Sequence, residues 1–177
     1  MAHELGFLSA NSIAATQLAV RDILATNDQS AQYAMTLSER DAADLLENRR
    51  RLLAATGRVE IGGGSVRRLI DRFVDSPYLW QGNYAQTLNE LLAVFYAIKN
   101  EAQDSLGDDD LLALMKELFD GPCGGSTEYL ASVLYLTARS MRGATVEGLD
   151  QQDREQVARQ EQEEENERMN GGQDTDE

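Results

Sequence analysis

Apolar residues recur along this chain at intervals of three and four, and the runs are separated by short polar or glycine-rich breaks. That spacing is the signature of amphipathic helices, and it holds from Leu37 to Gly143. Ahead of that stretch, Asn11 or Ser12 opens a helix to about Ala25, with Ile13, Val20, Ile23 and Leu24 as a thin stripe suited to packing at one edge. Asn27, Asp28, Gln29 and Ser30 end it, and residues 1–10 carry no strong period. The second helix starts at Ser38, where Ser38 and Asp41 form a variant of the capping box: a hydroxyl for a free backbone N–H and a carboxylate at the positive helix end. Ala42, Leu45, Leu46, Leu52 and Leu53 give its apolar face, and Gly57 closes it.

Arg58-Val59-Glu60-Ile61 alternates like a short extended piece, followed by Gly62, Gly63 and Gly64, with Ser65 as the expected cap of the next helix. Val66, Leu69, Ile70, Phe73 and Val74 then follow the spacing of one buried helical face. The helix must stop near Ser76, because Pro77 biases the preceding residue away from the α region. Tyr78, Leu79 and Trp80 make an aromatic turn. From Asn83 or Gln86 to about Asp104 runs the expected longest helix, lined by Leu88, Leu91, Leu92, Phe95 and Ile98, with Tyr84 and Tyr96 flanking it. After Gly107, Asp108 to Asp110 begin another helix with the stripe Leu111, Leu114, Met115, Leu118 and Phe119. A loop from Asp120 to Gly125 leads to Ser126, the expected cap of a last helix that carries Tyr129, Leu130, Val133, Leu134 and Leu136 and closes at Gly143.

The pattern predicts an all-α protein: a compact bundle of five or six helices with a disordered acidic C-terminal tail. The expected organisation is an N-terminal arm and peripheral helix over 1–30, a helical core domain over 31–146 and the tail over 147–177. The tail follows from composition. Within the Glu/Gln/Arg-rich stretch from Gln151 to Asn170 only Val157, Ala158 and Met169 are apolar, too few to offset the entropy of ordering the chain.

Charge sharpens this division. The 177 residues carry a net −15, and Glu147 to Glu177 alone hold twelve acidic against three basic residues, net −9. Such a balance disfavours nucleic acid as a partner unless basic residues concentrate in one patch. The longest apolar run, Leu91 to Ile98, is eight residues, against the ~20 that span a bilayer. With no basic and apolar leader at the N-terminus and a single cysteine, the chain reads as cytoplasmic, with no membrane partner.

Four groups of residues carry candidate chemistry. The Gly62–Ser65 turn feeds a helix, and backbone N–H groups at a helix start can hold an anion; Gly63, Gly64, Ser65, Arg67 and Arg68 form the candidate anion site, and eight of the sixteen basic residues fall between Arg40 and Arg72. The spacing matches neither the phosphate loop nor the dinucleotide fingerprint, and a tight, flexible turn with solvated arginines explains it better. Asp41, Asp44, Glu101 and Asp104 are a candidate Mg²⁺ set of the kind that all-α nucleotide phosphohydrolases build from facing helices, although helix capping accounts for the first two. Cys123 sits in a Gly/Pro loop, and the only histidine is His3. No nucleophile–base pair is legible, and no four-ligand His/Cys zinc site can form. Finally, Tyr78, Trp80 and Tyr84 are a candidate partner-binding cluster, since aromatics dominate interface hot spots, or else they fill the gap between two helices.

Several runs carry a resemblance: Gly57 to Gly64, Asp75-Ser76-Pro77-Tyr78, Lys99-Asn100-Glu101, and Phe119-Asp120-Gly121 with Gly125-Ser126. In this order they resemble an uncharacterised family of small helical bacterial proteins, a domain of unknown function found mainly in anaerobic Gram-positive bacteria, over about Leu37 to Gly143. The resemblance implies a bacterial, intracellular origin; it brings no activity, cofactor or catalytic residue. The expected function is that of a non-catalytic interaction or accessory protein with another protein as partner, no catalytic residues, no metal and no cofactor. The alternatives are the Mg²⁺-dependent phosphohydrolase and anion or nucleic-acid binding through Arg49–Arg72.

Overall fold

Ser38 is where the first long helix becomes obligatory. Its backbone is extended, its hydroxyl accepts from the Asp41 N–H, and the Asp41 carboxylate accepts from the Ser38 N–H at 2.8 Å, which completes the capping box. In a computed structural model of the chain, residues 14–57, 64–102 and 106–140 are described. The helix that Ser38 opens, α3, spans Glu39–Thr56 and ends at Gly57 in the left-handed conformation, φ 65°. Before it come α1 over 14–24, the single turn α2, Asn27–Ser30, and a 3-10 turn, Ala31–Tyr33. After it come α4, Gly64–Phe73; α5, Tyr84–Glu101; α6, Asp108–Asp120; and α7 over 127–140.

Among the described residues all regular structure is helical and six helices have ten or more residues. The expected all-α bundle of five or six helices is therefore what forms. The chain divides into two units after Leu136. The first contains α1 to α6 and the start of α7; of the second, residues 137–140 are described and helical.

α5 is the centre of the first unit. Leu88, Leu91, Leu92, Phe95 and Ile98 are buried as expected, and α5 packs against α3, α4 and α6. The expected flanking positions of Tyr84 and Tyr96 are a correction: both rings are fully buried. Tyr96 stacks edge-on against Phe95 at 5.2 Å, so α5 is apolar on more than one face. α3 matches α5 in length at 18 residues, so α5 is not uniquely the longest helix. α4 and α6 are joined by Phe73 and Phe119, whose rings meet edge-on at 5.6 Å.

Polar side chains set the register of these helices. Asn48 of α3 donates to the carbonyl and side-chain oxygens of Asn89 on α5, at 3.1 and 3.0 Å. Gln81, just before α5, accepts from the Thr36 N–H, just before α3. The two helices therefore run in the same sense, start beside start. Asn27 exchanges two bonds with the backbone of Leu37 and holds the segment between α2 and α3 against the body. Arg58–Ile61, Gly62, the expected helix start at Asn11 or Ser12, and the tail lie outside the described residues.

Candidate functional site

Helix packing decides which of the sequence's candidates can reach a ligand. Ser65 does not cap a helix from outside but lies within the first turn of α4, buried. Its hydroxyl shares a 2.8 Å hydrogen bond with Tyr96 OH and accepts from Arg49 Nε at 3.3 Å. Ser65 is thus a core tie between α3, α4 and α5 and does not face an external anion, which corrects the expected role. Arg67 pairs with Asp22 of α1 at 2.8 Å and with Asp71, and Arg68 with Asp108 at 2.7 Å and Asp109 at 3.3 Å. Both side chains staple α4 to a neighbouring helix, and carboxylates answer their charge. Gly64 begins α4 with open space around it; Gly63 lies outside the described residues. Within the same arginine-rich region, Arg50 pairs with Glu47, Arg40 with Asp44, and Arg51 donates to Asn48. Arg58 lies outside the described residues.

The candidate metal carboxylates are dispersed. Asp41 is spent on the Ser38 cap, and Asp44 pairs with Arg40. Because α3 and α5 run in the same sense, tied at Asn48 and Asn89, Asp41 and Asp44 lie before that tie and Glu101 twelve residues after it, about 18 Å along α5. Asp104 lies outside the described residues, and among those described no three His, Cys, Asp or Glu side chains converge as a ligand set.

The aromatic cluster is split. Tyr84 is buried completely, a correction to its expected place in a surface patch. Its hydroxyl and Ser30 Oγ are buried without a hydrogen bond of ordinary geometry, and burial pushes the Tyr84 hydroxyl above the usual phenol range. Trp80 remains 61 % exposed and Tyr78 lies at the surface with its ring edge-on to Phe119 at 6.1 Å. Asn83 opens α5 as expected, standing just before Tyr84, while its side chain knits this turn, accepting from the Trp80 N–H and donating to the Tyr78 carbonyl. Cys123 is buried in the loop after α6, and burial raises its thiol above the usual range.

Two surface depressions involve α4, α5, α6 and α7. Arg68, Asp71, Arg72, Asp75, Asp109 and Lys116 line a charged one between α4 and α6. Its charges largely cancel: Lys116 bridges Asp75 at 2.9 Å and Asp120. Burial opposes Lys116's charge, but the two carboxylates outweigh it and hold the ammonium above its usual pKa. At the neighbouring corner, burial opposes ionisation of Asp108. Lys99 and Arg68 outweigh it and hold that carboxyl below the usual range.

The second depression is an apolar trough of about 510 Å³ between α5 and α7, lined by Val94, Ala97, Ile98, Ala131, Ser132, Tyr135 and Leu136. Its origin is local. Thr127 donates to Glu90 at 2.7 Å and fixes the start of α7 beside α5. From there Leu130 and Leu134 turn into the core, while alanines at 97 and 131 leave the space between the helices unfilled. Tyr135 and Leu136 stand beside it, 47 % and 67 % exposed. The hydroxyl of Ser132 is used by the Glu128 carbonyl at 3.0 Å. The lining offers no carboxylate, imidazole, thiol or amine, so its chemistry is the exclusion of water from apolar side chains.

Of the apolar residues expected on the last helix, Tyr129, Leu130, Val133, Leu134 and Leu136, only Leu130 and Leu134 are fully buried. At 100° per residue, 129, 133 and 136 group together about 100° away from 130 and 134. Five apolar residues on two faces were the sequence signal for a helix with a second apolar face; the trough itself depends on alanines, which carry no such signal.

No curated protein and no solved structure matches the chain. A model of a family of unknown function, DUF6323, matches residues 22–147, wider than the expected Leu37 to Gly143 and taking in the end of α1. The chain belongs to that family.

Proposed function

We propose that this DUF6323 member is a bacterial, cytoplasmic accessory protein that acts without catalysis, by holding an apolar segment of another protein in the trough between α5 and α7. The observation that carries this reading is the contrast between the two kinds of site. The titratable groups of the charged depression and of α4 are largely answered by one another, whereas the trough presents Tyr135 and Leu136 beside unfilled space. An exposed apolar surface of this kind, bounded by two helices, suits a partner's side chains. Two or three leucine-sized side chains, each contributing about 1.5–3 kcal/mol on full burial, give about 3–9 kcal/mol before the cost of association, which suits a weak, transient contact. This docking surface replaces the Tyr78–Tyr84 turn expected from sequence, because Tyr84 is not at the surface.

The experiment is site-specific photocrosslinking in the native host. A benzophenone side chain at Ala97, in the trough, should give a discrete higher-mass adduct that disappears when Ala131→Phe fills the trough. The same group at Arg50, exposed on α3, should give none. Equal adducts from both positions, or an adduct indifferent to Ala131→Phe, would refute the reading.

A further inference from the structure

Acidic residues stand at both ends of the apolar trough. Glu90 precedes Val94 by four residues, Glu101 follows Ala97 by four, and Glu128 precedes Ser132 by four. Helical geometry therefore sets each on the face that continues the lining. Glu90 marks one end directly, since it accepts from Thr127 at the start of α7. At the same spacing from Tyr135 there is one basic residue, Arg139. The chain as a whole shares the sign of the glutamates, a net −15.

Resting on the reading of the trough as a docking site, we propose that its occupant is a basic amphipathic helix, apolar on one face and flanked by lysines or arginines. The lining on α7, Ala131 to Leu136, extends about 7.5 Å along the axis, close to one and a half turns. That length accepts a helix through anchors at i and i+3 or i+4, the helix-in-groove mode. The charge then selects the sign. A basic helix is steered toward the acidic chain and finds Glu90, Glu101 and Glu128 beside its own flanks. A second copy of this chain would bring −15 against −15, so self-pairing is disfavoured.

The test uses three fluorescent synthetic peptides and the full chain, with binding followed by anisotropy. One peptide is a leucine/lysine amphipathic helix, one carries glutamate in place of every lysine, and one has the first composition scrambled to destroy the apolar stripe. The expected result is that the leucine/lysine helix binds at least tenfold tighter than either of the others. Ala131→Phe should weaken it at least tenfold, and Glu101→Lys with Glu128→Lys at least threefold. Should Ala131→Phe fail to fold, Ala97→Phe, at an exposed position, blocks the same space.

Tight binding that survives both phenylalanine variants, or equal binding of the scrambled peptide, overturns the proposal, because attraction to the acidic chain alone then explains it. So does absence of binding. Equal binding of the glutamate peptide, lost in Ala131→Phe, overturns the partner's charge and leaves the trough as a docking site. A dimer in sedimentation that Ala131→Phe dissolves makes the occupant a second copy and overturns the proposal. Failure of the Ala97 crosslink is separate from all of these and counts against the trough itself.

Discussion

Gly125→Ala is the substitution whose cost the structure defines best. Gly125 sits in the loop between α6 and α7 at φ 81°, where its N–H bonds the Phe119 carbonyl at 2.9 Å. A Cβ there would lie 2.5 Å from both Cβ and Cγ of Tyr78. Two penalties add. The left-handed backbone costs an alanine about 1–2 kcal/mol. The overlap includes the Tyr78 Cβ, so rotating the ring does not relieve it: the Tyr78 backbone must shift, and the ring loses its edge contact with Phe119, worth roughly 0.5–1.5 kcal/mol, along with some packing. The sum is about 2–4 kcal/mol, equivalent to a fall in Tm on the order of 10 °C for a chain of this size. Gly57→Ala is the internal control. It has φ 65° with nothing near the added Cβ, so it should cost only the strain, about 1 kcal/mol. Urea unfolding followed by circular dichroism measures both, and a double-mutant cycle with Tyr78→Gly, which removes the Cβ as well as the ring, separates the penalties. In the Tyr78→Gly background, Gly125→Ala should cost only the backbone strain, leaving a coupling of about 1–2 kcal/mol. A cost at Gly125 no larger than at Gly57, or strict additivity with Tyr78→Gly, would refute the reasoning.

Tyr84→Phe should leave stability unchanged or raise it by about 0.5–1 kcal/mol, because the lost hydroxyl is buried without a hydrogen bond of ordinary geometry; Tyr84→Ala should cost about 3–5 kcal/mol, both read by urea unfolding. Cys123 should react with disulfide reagents at least tenfold more slowly than a free thiol in the native protein and at the ordinary rate in urea, measured by absorbance. Asp108 is held below the usual carboxylate range when folded, so the unfolded chain takes up its proton first as the solution is acidified. Its contribution is therefore full above the unfolded pKa, about pH 4, and is lost as pH falls through the lower folded value. Urea midpoints of wild type and Asp108→Asn should differ at neutral pH and converge in that acidic window; a constant gap would show that Lys99 and Arg68 do not sustain the shift.

Helix positions and caps were legible because they depend on neighbours within one turn. Ser38 with Asp41, Gly57, Gly107 and Ser126 act locally, and each marks a boundary where it was expected, while α4 ends at Phe73, three residues before the Ser76 that Pro77 suggested. Burial was less legible because it depends on which helix lies opposite. Tyr84 and Tyr96 have polar tips and read as flanking residues, yet α5 is enclosed by α3, α4 and α6, so both rings fall inside. Ser65 followed a run of glycines and read as a cap; only the approach of Arg49 and Tyr96 from two other helices makes it a core hydrogen-bonding residue. The trough was the least legible feature. It arises from Ala97 and Ala131, whose small side chains carry little periodic signal, and from a register between α5 and α7 set by the Thr127–Glu90 bond across 37 residues.

The central claim is that the trough between α5 and α7 receives a partner's side chains. The most direct measurement is a titration of the isotope-labelled protein with the leucine/lysine helix, followed by amide and methyl chemical shifts. Saturable shifts should concentrate at Val94, Ala97, Ile98, Ala131, Tyr135 and Leu136 and vanish in Ala131→Phe. Shifts centred instead on Tyr78 and Trp80 or on Arg67 and Arg68, with the trough residues unmoved, would contradict it.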